Sequence, residues 1–125
     1  MKSLKLNPYI NELKKLNKFI EDIISKKDYH VILIAEEVFV NIVDYSDSDF
    51  ISVNAEYENQ TLTLEFVDNG IPFNPLLKEN PKTPDTIDEA EIGGLGIFLT
   101  KQLADDISYE YLNGENHLKI IKEVE

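Results

Sequence analysis

The stretch ISVNAEYENQTLTLEFVD, Ile51 to Asp68, decides the fold class. Ile51, Val53, Ala55 and Tyr57 alternate with polar residues, and Leu62, Leu64 and Phe66 do the same after a polar break at Glu58-Asn59-Gln60. Successive side chains of an extended chain point to opposite faces, so each run predicts a strand with one buried face. The short polar break predicts that the two strands form a hairpin.

Upstream the period is helical. Val31, Ile34, Ala35, Val38, Phe39 and Ile42 form one stripe of a helix from near Asp28 to about Tyr45. Ile10, Leu13, Leu16, Ile20, Ile23 and Ile24 recur at the same spacing. They predict a first helix of roughly Pro8 to Lys26, with Asn7 as N-cap and Pro8 in the first turn.

Downstream, from Asn69 to about Gly94, no pattern holds, and Pro72, Pro75, Pro81 and Pro84 fall there. A stretch this long without periodicity in a compact chain is often a functional lid. A helix is expected from about Gly96 to Asp106. Ile107 to Leu112 and His117 to Val124 then predict a second hairpin around the Asn113-Gly114 turn signal. The 125 residues suit one domain with one core.

Composition narrows the function classes. The net charge is −12 and all positive charge comes from lysine, because there is no arginine. Nucleic acid is excluded as a partner, since a phosphate backbone demands a basic face. The acidity favours solubility and could steer the chain toward a basic partner, but it reads most simply as a solvated surface. No run of about 18 apolar residues occurs, so no membrane span is expected. Cysteine is absent, which removes disulfides and thiolate metal sites and points to a cytoplasmic protein. His30 and His117 read as surface or edge residues without carboxylate clusters beside them, so no metal is expected there.

Three motifs carry chemistry. Glu37 and Asn41 are four apart on the second helix and share a face beside its apolar stripe. An amide oxygen there can coordinate Mg²⁺ and a carboxylate can take a proton from a hydroxyl, although such pairs are also common on solvated faces. Asp68-Asn69-Gly70 closes the strand Leu62 to Phe66. A carboxylate at the mouth of the core can accept the exocyclic amine of adenine, and Gly70 allows close backbone approach. The same tripeptide also reads as a simple turn. Gly93-Gly94-Leu95-Gly96 precedes a helix start, where backbone N–H groups and the positive helix end suit phosphates; it reads too as a flexible loop.

In this order the motifs resemble the N, G1 and G2 boxes of the GHKL (Bergerat-fold) ATPase superfamily, nearest to the anti-sigma-factor serine/threonine kinases. EEVFVNIVDYS, FVDNGIPFNP and IGGLGIFLTKQLADDISYEY carry the resemblance, from about Ile32 to Lys122. It implies an α/β (α+β) two-layer sandwich over residues 1–125, with helices on one face of a mixed, mostly antiparallel sheet and an ATP lid at about 71–95. It implies ATP and Mg²⁺, with Glu37 as catalytic base and Asn41 as Mg²⁺ ligand. Asp68 and Gly70 would sit at the adenine, and Gly94 and Gly96 at the phosphates. It implies γ-phosphoryl transfer to a Ser or Thr of a regulatory protein, the partner being a sigma factor or a STAS-type anti-sigma-factor antagonist, and it admits a homodimer.

The chain departs from that pattern in its cations. Asp44 occupies the place, three after Asn41, where relatives often carry a basic residue. Between Pro75 and Gly93, Lys78 and Lys82 face Glu79, Asp85, Asp88, Glu89 and Glu91. Lys101 is the best remaining cation for phosphate, though it reads more simply as a solvated helix residue. These departures favour an alternative: a non-catalytic module of the same fold that binds protein and holds nucleotide weakly or not at all. The initial strand of the family could be served here only by Ser3 to Leu6.

Overall fold

In the computed structural model the described residues are 1–77 and 100–125. The second predicted helix forms as expected. Helix α2, Tyr29–Tyr45, starts at Asp28, whose carboxylate accepts the backbone N–H of Val31 at 3.0 Å. Such a cap satisfies one of the orphan donors of the first turn and stabilises by about 1 kcal/mol.

The first helix starts later than the Asn7-Pro8 pair predicts. Ile10–Glu12 form a 3-10 turn and α1 runs Leu13–Ile24. Asn7 does not cap it. Its backbone N–H and its side-chain amide both donate to Glu12 Oε1, at 3.1 and 3.2 Å. Asn7 is therefore tied down as a donor, and the preceding residues stay extended. They form β1, Lys2–Leu6, so the lean N-terminus does supply the initial strand. Ser25, with φ 61°, ends α1 in the left-handed conformation.

The hairpins form where alternation placed them. β2 spans Ile51–Glu58 and β3 spans Thr61–Asp68. β4 spans Asp106–Leu112 and β5 spans Glu115–Glu123. Both two-residue turns place each central residue at positive φ: Asn59 at 52° and Gln60 at 64°, Asn113 at 53° and Gly114 at 79°. That geometry matches the twist of the flanking strands. The strand order is β1-β2-β3-β5-β4, and each described pairing is antiparallel. The sheet is thus antiparallel where the expectation allowed a mixed one.

The helices cover one face of this sheet, giving the expected two-layer α+β sandwich. Leu16 and Ile20 of α1, and Ile34, Val38 and Phe39 of α2, share one buried cluster with Val53, Leu64, Phe66 and Ile120. The opposite face is polar. Ser3 Oγ donates to Asn54 Oδ1 at 2.7 Å, and Asn54 Nδ2 to Glu65 Oε1 at 3.0 Å. Carboxylates do stand beside His117, against expectation. Glu65 lies 3.7 Å from Nδ1 and Glu115 3.8 Å from Nε2. They flank opposite edges of the ring, which is no chelate, and no metal-binding group of three forms among the described residues.

Residues 100–103 are helical. The helix expected to reach Asp106 stops there, and β4 begins at Asp106, one residue before the predicted Ile107. The start of that helix, the Gly93-Gly94-Leu95-Gly96 motif and the greater part of the expected lid lie outside the described residues. Among the described residues no helix is long and apolar enough to cross a membrane.

Candidate functional site

The alternation that buries Leu62, Leu64 and Phe66 also carries Asp68 to the inner face of β3, where it is 2% exposed. The strand pairing sets it beside Ile51 of β2 and Asn116 of β5. A carboxylate cannot stay in such a place without donors. It has three, all on one oxygen. Oδ1 accepts the Ser46 hydroxyl, the Gly70 backbone N–H at 2.9 Å and Asn116 Nδ2 at 3.0 Å. No donor among the described residues reaches Oδ2.

Gly70 has a steric reason distinct from closeness to a ligand. A Cβ there would lie 2.0 Å from both the backbone oxygen and Oγ of Ser46. The residue after it, Ile71, donates its N–H to that same Ser46 oxygen at 2.8 Å. The chain leaving β3 is thus pressed flat against the end of α2.

Asn41, buried at 1% exposure, comes to the same place from the other layer. With Val38, Ile42 and Asp68 it lines a narrow cleft, closed by Phe73, Pro75, Tyr109, Asn116 and Leu118. Apolar walls with one carboxylate and a few amides are the composition of a small-ligand site. Phe73 stacks on Tyr45 with ring centroids 5.4 Å apart. Burial, first, raises the Tyr109 hydroxyl above its ordinary range, and the nearby Asp68 charge adds to this.

Glu37 stands one turn before Asn41 on α2, half-buried, and is not among the residues lining the cleft. Burial lifts its carboxyl above the usual carboxylate range, and the charge of Glu36 lifts it further. A carboxylate shifted this way holds a proton more readily, as a general base requires. Lys101 is not among the residues lining the cleft; its Nζ donates to the backbone oxygen of Leu76, next to the lining residue Pro75, at 3.0 Å. That bond fastens the helical residues 100–103 to the 3-10 turn Pro75–Leu77. Asp44 is exposed. Gly94 and Gly96 lie outside the described residues.

Sequence reading therefore found Asn41 and Asp68, which converge, and missed Ser46, Tyr109 and Asn116. One signal was available for Asn116. In the alternation Asn116, Leu118, Ile120 it is a polar residue at a core position. Ser46 and Tyr109 carried no such mark.

A family model, the histidine kinase-like ATPase domain, matches residues 12–122. The chain belongs to that family. This histidine kinase-like ATPase domain is similar to the serine/threonine-protein kinase BtrW of Bordetella bronchiseptica, at 27% identity over 92 residues covering 70% of the chain. It spans 65% of that relative's length. Its fold is similar to that of the Acinetobacter baumannii histidine kinase AdeS, with a TM-score of 0.56 at 13% identity, over 99% of this chain and 68% of the other.

An ATPase domain implies ATP binding, and the chemistry of this cleft is compatible with that. Its apolar walls suit a purine face, the second oxygen of Asp68 suits an amine donor, and the Asn41 amide offers the oxygen that a hard cation prefers.

Proposed function

We propose that the chain is a cytoplasmic Mg²⁺-ATP-dependent protein kinase that phosphorylates a Ser or Thr of a regulatory partner. A STAS-type anti-sigma-factor antagonist or a sigma factor is the partner class. The observation that supports this is the meeting of Asn41 from the helical layer and Asp68 from the sheet in one cleft, together with the likeness to a serine/threonine-protein kinase.

In this reading Asp68 Oδ2 accepts the adenine amine, while Val38, Ile42 and Leu118 exclude water from the ring. Asn41 offers its amide oxygen to the metal. When bound, ATP supplies the transferable phosphoryl group and Mg²⁺ neutralises its charge. Glu37 accepts the proton of the partner's hydroxyl, a role its raised proton affinity favours. Gly94 and Gly96 would hold phosphate through backbone N–H groups.

A second reading, a protein-binding module with weak nucleotide affinity, is favoured by the exposed Asp44 on the last turn of α2, three residues beyond Asn41. A carboxylate near phosphate repels it. Titrating Mg²⁺-ATP while following thermal unfolding separates the readings, because a ligand of the native state raises stability with concentration over Kd. Wild type should respond at millimolar Mg²⁺-ATP, and Asn41→Ala and Asp68→Ala should not. Absence of a wild-type response removes the nucleotide reading. Binding without transfer or hydrolysis that depends on Glu37, tested with Glu37→Ala, leaves the module reading.

A further inference from the structure

Asn116 belongs to none of the three motifs, yet it occupies the centre of the cleft's hydrogen-bond network. It is buried at 4% exposure on the inner face of β5, directly opposite Asp68. Its Nδ2 donates to Asp68 Oδ1 at 3.0 Å and to the Ile71 backbone oxygen at 2.8 Å. Its Oδ1 accepts the Phe73 backbone N–H at 3.0 Å and the Tyr109 hydroxyl. A carboxamide has two N–H donors and two acceptor lone pairs. All four are engaged inside the protein, so this side chain has no capacity left for a ligand.

We propose that Asn116 is a positioning residue of the adenine subsite: it anchors Oδ1 of Asp68, leaving Oδ2 to the ligand, and ties that carboxylate to the segment Ile71–Phe73. This rests on the reading of Asp68 as the adenine acceptor. The physical reason is preorganisation. A buried carboxylate free to turn would divide its acceptor oxygens among competing donors, and the ligand would have to order it. With Ser46, Gly70 and Asn116 all on Oδ1, the order already exists. Ser46 and Gly70 act through the end of α2 and the chain leaving β3. Only Asn116, of the three donors, also holds the far side of the cleft, through Phe73 and Tyr109.

The test pairs a variant with a ligand change. Mg²⁺-ADP and Mg²⁺-purine riboside 5′-diphosphate, which lacks the 6-amino group, are titrated calorimetrically into wild type, Asn116→Asp and Asn116→Ala. Asn116→Asp keeps the shape and the acceptor oxygen but loses both N–H donors. Affinity for ADP should fall about tenfold to a hundredfold in either variant, on the scale of one buried hydrogen bond to a charged group. Affinity for the purine analogue should change less than about threefold, because it makes no bond to Asp68. An equal loss for both ligands would mean a merely structural role and would overturn the proposal, as would an unchanged ADP affinity. If neither variant folds, hydrogen exchange of the Asn116 side-chain amide in wild type decides. ADP should slow it and the purine analogue should not; equal behaviour overturns the proposal. If wild type binds neither diphosphate, the adenine reading itself fails, a result distinct from all of these.

Discussion

Asn116 Nδ2 and Asp68 Oδ1 stand 3.0 Å apart across the β3–β5 pairing, amide against carboxylate, both buried. The bond joins two strands that are far apart in sequence but adjacent in the sheet. It makes the acidic end of β3 part of the core rather than a loose turn.

Removing the carboxylate should therefore destabilise the protein as well as its site. Asp68→Ala leaves the Ser46 hydroxyl, the Gly70 N–H and an Asn116 N–H without their acceptor. Each buried donor so left costs about 1–3 kcal/mol, partly relieved by water entering the cleft. A loss of about 2–3 kcal/mol, or roughly 6–12 °C in Tm, is expected by circular dichroism. A Tm within about 2 °C of wild type would show that the network contributes little.

Two glycines should respond to alanine for different reasons. At Gly70 the added Cβ meets Ser46 oxygens at 2.0 Å, so Gly70→Ala forces the chain away from α2 and costs about 1–3 kcal/mol. Because one of those oxygens is backbone, adding Ser46→Ala should not restore stability. At Gly114 nothing lies within 4 Å, and the whole cost of Gly114→Ala comes from φ 79°, about 1 kcal/mol. Rescue of Gly70→Ala by the second change would sink the steric account.

Glu37 gives the stability a pH dependence of definite sign. Burial and then the charge of Glu36 raise its carboxyl in the folded chain. The folded state then binds the proton more tightly than the unfolded one. Its contribution is full below the unfolded value, near about pH 4, and is lost as pH rises through the raised folded value. Glu37→Gln should therefore be more stable than wild type at pH 7, with the difference vanishing near about pH 4. Solvent screening at this half-exposed site keeps the gain to about 1–2 °C. Paired thermal melts across pH 4–8 check it, and a variant less stable at pH 7 would contradict the sign.

The cap on α2 is a local matter with a local cost. Asp28→Ala removes the acceptor of the Val31 N–H and should cost about 1 kcal/mol, while Asp28→Ser should retain most of the stability. Equal losses in urea unfolding would mean that the capping bond is not what Asp28 supplies.

The elements of this protein are written locally. Alternation from Ile51 to Asp68 and the stripe from Val31 to Ile42 specify strands and helix because burial of one face has a fixed period in each. Asn41 and Asp68 were legible for the same reason, since each sits where its element's apolar face ends. Asn7 was misread because a cap is identified by its partner, and here Glu12 reverses donor and acceptor. The tertiary structure alone decided that β5 lies between β3 and β4, and hence that Asn116, Tyr109 and Ser46 surround one carboxylate. Strand order and register set which side chains come within 3 Å, and those depend on how the sheet closes over its helices, not on the period of any single segment.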